Sequence, residues 1–225
     1  MWLDRQISLI GEDKTNILKK SNVLICGVGG VGGYVCEMLC RTGIENITVI
    51  DFDKVDETNI NRQIIATTKT IGRKKVDVIK ERLESINPQI NVTTICEKIT
   101  ENNLNYLINK KYEYIIDCID SFKDKVSLID FCYKNKLNII SAMGAGRRYD
   151  IPTFIVTDIF KTEYDPLAKK LRKALKERSI KKLKVVTTNS KVCEYNKNLG
   201  SVSYYPATCG CMIASYVVNE LIKEK

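Results

Sequence analysis

Asn22-Val-Leu-Ile-Cys-Gly27-Val-Gly29-Gly30-Val-Gly32 is the stretch on which the fold turns. An apolar run over 22–27 enters a glycine cluster, and residues 31–43 then repeat their apolar positions with a helical period. Ile47-Thr-Val-Ile-Asp51 is again strand-like, β-branched and closed by an acid. Strand, glycine turn, helix and strand in that order make a βαβ unit. The glycines at 27, 29, 30 and 32 allow a backbone to approach a ligand closely, and the helix that follows offers unpaired N–H groups to phosphates. Asp51 falls at the tip of the second strand, where a ribose-binding acid belongs. On these features alone a dinucleotide is the default ligand, and a bare tight turn is the plain alternative.

Outward from this unit the alternation continues. The pattern predicts a helix near 72–86, strands near 91–96 and 114–119, a helix near 124–135 and a strand near 138–142. Beyond Gly144 it changes: strands at 153–158 and 184–188 flank a basic helix over 165–178, and a last helix runs from Thr208 to Lys223. The expected class is α/β, a Rossmann-like, mostly parallel sheet with helices on both faces. With no internal repeat, no low-complexity linker and only four prolines, residues 1–225 read as one domain. Its nucleotide-binding half spans about 1–145, and a substrate-facing half spans about 146–225. Residues 189–200 read as an exposed, mobile loop.

Composition narrows the function classes. Hydrophobic residues are 44% of the chain and charged residues 28%, a globular balance. The longest apolar stretch, Cys209–Val218, is about half the roughly 20 residues a bilayer-spanning helix requires. No signal-peptide core precedes the first charged residues, so a soluble, cytoplasmic protein without a membrane partner is expected. Six of the nine cysteines (Cys26, Cys36, Cys40, Cys96, Cys118, Cys132) lie in apolar periodic segments and read as small buried hydrophobes in a reducing compartment. There is no histidine, which removes imidazole bases and His-ligated metals. The net charge is +9, and the segment Lys169–Lys184 alone carries nine cations against Glu177. That segment is either a solvated helix face with a basic loop or a surface that tracks nucleic-acid phosphates.

The residues after Asp51 move the reading from a dinucleotide to a triphosphate. Asp53, Asn59, Asn61, Arg62 and Gln63 follow in a polar run, and Lys75 opens the next helix. Fixed cations beside a glycine turn suit the dense charge of terminal phosphates, which a nicotinamide enzyme does not place there. Asp120 lies just past the strand ending at Ile119, on the edge where open α/β sheets bind ligands. One carboxylate with phosphate oxygens makes an ordinary Mg²⁺ site.

The glycine loop, Asp51, Asn59-Ile-Asn-Arg62-Gln63, Lys75 and Asp117-Cys-Ile-Asp120-Ser121 together resemble the ThiF/MoeB/HesA superfamily of ATP-dependent adenylating enzymes. The likeness covers nearly the whole chain. It implies that Gly30 and its loop cradle the ATP phosphates, that Asp51 holds the ribose, that Arg62 and Lys75 neutralise the β/γ-phosphates, and that Asp120 binds Mg²⁺. Arg5 matches an N-terminal arginine that in the superfamily reaches ATP in the partner subunit, which implies a homodimer with shared sites. Ser141-Ala-Met-Gly144-Ala-Gly146, Val156–Thr162, Asp165-Pro-Leu-Ala-Lys169, Ile180–Val186 and Gly200-Ser-Val-Ser203 resemble one branch, the tRNA threonylcarbamoyladenosine dehydratases.

That resemblance implies ATP-driven activation of the threonylcarbamoyl carboxylate on an adenosine beside the anticodon, followed by ring closure. It gives the cations Lys169, Lys170, Arg172, Lys173, Lys176, Lys181 and Lys182 a tRNA to bind, rather than DNA. A sulfur-relay protein is a further candidate partner. The alternative is an activating enzyme for a ubiquitin-like sulfur carrier; an idle RNA-binding Rossmann domain and an NAD-dependent dehydrogenase are weaker. Relatives in the dehydratase branch often carry a cysteine-rich insert before Gly-Ser-Val-Ser, where this chain has only Cys193. Carrier activators often hold zinc with two C-x-x-C pairs, and this chain has none; Cys209 and Cys211 read as helix packing.

Overall fold

The computed structural model describes residues 2–193 and 200–223. Two short helices open it, α1 (Asp4–Ile10) and α2 (Glu12–Lys20), followed by β1 (Asn22–Cys26), α3 (Gly32–Arg41) and β2 (Asn46–Ile50). Next come α4 (Lys75–Ile86), β3 (Asn91–Ile95), the single turn α5 (Leu104–Leu107), β4 (Tyr114–Asp117), α6 (Phe122–Lys134) and β5 (Ile139–Ala142). The remainder is β6 (Phe154–Asp158), α7 (Pro166–Glu177), β7 (Lys184–Thr188) and α8 (Tyr204–Leu221).

The strands form one seven-stranded sheet in the order β3-β2-β1-β4-β5-β7-β6, parallel except for β6, which runs antiparallel to β7. Both faces are covered, as near-continuous apolar strands require. Val23 and Ile25 face a core built with Val35, Leu39, Ile79, Leu83, Ile213 and Val217 from α3, α4 and α8. Leu24 and Cys26 point the other way, into a core with Leu104, Leu107, Leu128 and Cys132 from α5 and α6. Under β5 and β7 a third cluster joins Ile129 of α6 to Leu171 and Leu175 of α7. Because β7 pairs in register with β5 through Ser141 and Val185, the sheet runs unbroken across residue 145.

The predicted strands agree with these to within two residues. The last helix begins earlier than expected, at Tyr204, with Pro206 inside its first turn. Proline is tolerated there because those N–H groups have no acceptor within the helix. Cys26, Cys36, Cys40 and Cys132 are buried as expected, but Cys96 is exposed and Cys118 is only half-buried. The correction at Cys96 has a simple cause: β3 stops at Ile95, so Cys96 starts a loop. Of the loop expected over 189–200, residues 194–199 lie outside the described residues. No helix among the described residues is long and apolar enough to cross a membrane.

Candidate nucleotide site

Strand order reverses between β1 and β4, and crossovers on opposite sides leave a crevice at their carboxyl ends. A cavity of about 910 Å³ opens there. The glycine turn makes its floor. Gly27 takes φ +93°, and a Cβ on it would stand 2.8 Å from the Cys118 carbonyl oxygen. A Cβ on Gly32 would stand 1.8 Å from the Gly27 carbonyl oxygen, so only glycine lets α3 start this close to the strand. Gly27 N–H donates to the Ile50 carbonyl at 2.8 Å and Val28 N–H to Asp51 Oδ2 at 2.6 Å. Asp51 Oδ1 accepts from Asp53 N–H at 2.8 Å. Burial raises the Asp51 carboxyl above its ordinary range despite those two N–H donors.

Most of the expected residues converge on this cavity: Gly27, Gly29, Gly30, Asp51, Asp53, Arg62, Gln63, Lys75 and Asp120 all line it. A 3-10 turn over Glu57–Asn59 delivers Arg62 and Gln63. Asp56 and Asn59 cap that turn reciprocally, and the Asn59 side chain accepts from Asp56 N–H at 3.2 Å. Asn59 therefore shapes the wall without lining it. Arg62 Nη1 donates to the Thr58 carbonyl at 2.8 Å and to Asn61 Oδ1 at 2.9 Å. Asn61 in turn donates to the Ser201 carbonyl at 2.9 Å, binding this wall to the segment before α8. Lys75 is buried at the start of α4 and pairs with Asp53 at 2.8 Å. Gln63 lines the cavity and buries its Oε1 without a hydrogen-bond partner.

Gly32 and Arg5 lie outside the lining; Arg5 is exposed on α1. Two residues of the wall, Phe52 and Lys98, and one buried ion pair were not foreseen. Phe52 is 54% exposed at the cavity with Lys98 Nζ 5.8 Å from its ring centre, and Lys98 also approaches Asp124 at 3.6 Å. Three residues before Asp120, Asp117 pairs with Lys125 at 2.8 Å, both side chains fully buried. Ser141 donates to the same carboxylate oxygen, and Lys125 also donates to Ser141 Oγ and the Ala142 carbonyl, each at 3.2 Å.

Charge around the cavity is unbalanced. Asp51, Asp53, Glu57, Glu97, Asp120 and Asp124 face it, against Arg62, Lys75 and Lys98. No cluster of three or more metal-ligating side chains occurs among the described residues. A divalent ion would thus depend on ligand oxygens beside a carboxylate such as Asp120, the ordinary arrangement for Mg²⁺.

The basic segment is an amphipathic helix followed by a loop. Ala168, Leu171 and Leu175 face the core, while Lys169, Lys170, Lys173, Lys176, Lys181 and Lys182 are exposed. Arg172 is half-buried and donates to the Thr162 carbonyl at 2.9 Å and to its hydroxyl, so it is committed within the fold. Cys209 is buried and Cys211 exposed; Cys193 is half-buried, its N–H donating to the Arg147 carbonyl at 2.7 Å.

The model of the ThiF family matches residues 3–225. The chain belongs to the ThiF family. Among curated proteins, this ThiF-family chain is 42% identical over 168 residues to the tRNA threonylcarbamoyladenosine dehydratase of Escherichia coli, covering 75% of this chain and 63% of that enzyme. It is 33% identical over 234 residues to the enzyme of that name from Bacillus subtilis, covering 96% and 92%. Among solved structures, the Escherichia coli dehydratase TcdA in complex with ATP superposes with a TM-score of 0.92 at 34% identity, over 97% of this chain and 92% of that one. The sequence match thus spans less than two thirds of the Escherichia coli enzyme's length.

Proposed function

We propose that this ThiF-family protein is an ATP-dependent dehydratase that activates the carboxylate of tRNA threonylcarbamoyladenosine by adenylation and closes it into a ring. The observation that carries this reading is the cavity at the β1/β4 switch point, where the glycine turn, Arg62, Lys75 and Asp120 meet. The likeness to dehydratases supports it along nearly the whole chain.

In this reading Gly27, Gly29 and Gly30 admit the phosphates to the mouth of α3, and Asp51 accepts from the ribose. Arg62 and Lys75 neutralise the terminal phosphates. Asp53 and Asn59 fix Lys75 and the 3-10 turn, and Gln63 offers its unpaired oxygen. Six acids against three cations repel a bare triphosphate, so further positive charge is needed. Asp120, with phosphate oxygens, would hold Mg²⁺, which would supply part of that positive charge. Arg5 from a second copy supplies the rest, which makes the working unit a homodimer.

The substrate carboxylate oxygen attacks the α-phosphorus and pyrophosphate leaves. The acyl group then carries a good leaving group in place of oxide. The atom that closes the ring is already in the substrate, so the second step gains the advantage of an intramolecular reaction and releases AMP. No protein nucleophile and no histidine are required. Residues about 1–145 serve as the nucleotide half and about 146–225 as the tRNA-facing half of one domain. The exposed lysines of 169–182 meet tRNA phosphates, in the cytoplasm, and a sulfur-relay protein is a further partner.

The test is direct. Incubation with ATP, Mg²⁺ and tRNA bearing threonylcarbamoyladenosine, followed by mass spectrometry of the nucleosides, is expected to show loss of one water from that nucleoside. Turnover of ATP on a ubiquitin-like carrier's C-terminal glycine, with the tRNA nucleoside unchanged, would assign the protein to sulfur-carrier activation instead.

A further inference from the structure

A second, smaller and shallower depression of about 310 Å³ opens between Phe160 and the basic segment and shares no lining residue with the nucleotide cavity. Phe160, Ile180 and Ser179 form it, with Lys176 and Lys181 alongside. Its shape comes from how α7 ends. Ile180 N–H donates to the Leu175 carbonyl and Ser179 N–H to the Lys176 carbonyl, both at 3.0 Å, which is a Schellman closure. The residue in the left-handed position is Ser179, at φ +58°, where glycine is usual. Ile180 is 2% exposed and packs with Leu175 in the core, so the chain reverses sharply and Lys181 emerges beside Lys176. Phe160 is half-buried against the same core and leaves part of its side chain in the pocket.

A half-buried aromatic side chain with two lysines in the same lining suits a flat apolar ring joined to phosphates. Free phosphate would gain nothing from Phe160, and an apolar peptide nothing from the lysines. A paired base is closed off by its partner, so only an unstacked base can enter. We propose that this pocket is a binding site for one unpaired ribonucleotide of the tRNA, its base against Phe160 and its flanking phosphates on Lys176 and Lys181. The inference rests on the tRNA reading and adds to it a base-accepting subsite whose lining is separate from that of the nucleotide cavity.

The test compares single-stranded and duplex RNA of equal length on the full chain, by fluorescence anisotropy over a salt series. Phe160→Leu keeps an apolar residue against the core but removes the aromatic face. It is expected to weaken binding of the single strand about five- to tenfold and leave duplex binding unchanged. Lys176→Ala with Lys181→Ala is expected to lower the salt slope for the single strand by up to about two units. An abasic scan of tRNA is expected to find one unpaired position whose base matters to the wild-type protein but not to Phe160→Leu.

Equal single-strand affinity of Phe160→Leu and wild type, with salt-dependent binding intact, overturns the pocket and leaves the basic surface standing. Equal weakening on duplex and single strand also overturns it, since misfolding or lost charge then explains the effect. Displacement of the single strand, but not the duplex, by uridine monophosphate would reassign the pocket to a free nucleotide. Binding of neither RNA by the wild-type protein removes the tRNA reading together with this one.

Discussion

Lys75 Nζ lies 2.8 Å from Asp53 Oδ2, the lysine side chain 7% exposed and the aspartate 47%. The ammonium is thus already desolvated, and under the proposed function a triphosphate would compete with Asp53 for it. Lys75→Ala removes the cation and also leaves Asp53 facing the phosphates. Turnover of ATP to AMP is expected to fall by about 10²–10³-fold, the loss typical of one charge-stabilising group. Adding Asp53→Asn to Lys75→Ala is expected to recover part of that loss, because the repelling charge is gone. Pyrophosphate release measures both, and a double variant no better than Lys75→Ala would remove Asp53 from the balance.

The glycine turn separates stability from binding. Gly27→Ala forces a side chain into φ +93° and against the Cys118 carbonyl, with an expected loss of at least about 2 kcal/mol of folding stability. At Gly29 an added Cβ meets no atom within 4 Å, yet the residue lines the cavity. Gly29→Ala is therefore expected to leave the melting temperature nearly unchanged and to weaken ATP binding by calorimetry. Equal melting losses for the two variants would contradict this division.

Acid sensitivity is expected to centre on Glu37. Burial opposes its ionisation, but hydrogen bonds from Arg82 and then Arg41 outweigh that and hold the carboxyl below its ordinary value of 4.5. Its folded value is depressed, so its stabilisation is present above pH 4.5 and lost as pH falls through the folded value. Glu37→Gln is expected to be less stable at neutral pH by about 1–3 kcal/mol. Denaturant titrations should show its stability declining less steeply than the wild type's below about pH 4.5. Parallel curves would mean that the Glu37 pairs add nothing.

Arg5 is exposed on α1 and outside the cavity lining, so under the proposed function it would reach ATP only across a subunit boundary. Light scattering is expected to give a dimer. Arg5→Ala and Lys75→Ala proteins, each inactive alone, are expected to regain activity when subunits exchange, because one site of each mixed dimer then has both groups. Exchange without recovery would exclude Arg5 from a partner's site.

Much of the parallel sheet and of the nucleotide cavity was legible in the sequence. Strand β1, its glycine turn and Asp51 announce themselves by composition and spacing, and the cations after Asp51 by their density in a polar run. The first twenty residues gave no element, because α1 and α2 have short apolar positions scattered among charges. Lys125 was missed because lysine is almost never buried. A signal existed: Lys125 shares the apolar face of α6 with Val126, Ile129 and Cys132, eight residues after a strand that ends in Asp117. Phe52 and Lys98 come together only through the tertiary fold, which no local pattern encodes.

The Asp117–Lys125–Ser141 knot also constrains how this sequence can drift. Losing either charge alone strands the other in a dry interior, at about 3–5 kcal/mol. Exchanging both for well-packed apolar residues can be neutral. The route between the two solutions passes through a single substitution that consumes much of a domain's marginal stability. Asp117 and Lys125 are therefore mutationally locked to one another. The lock holds the last residue of β4, three residues before Asp120, so the strand end that leads into the cavity keeps its geometry while the surface around it is free to vary.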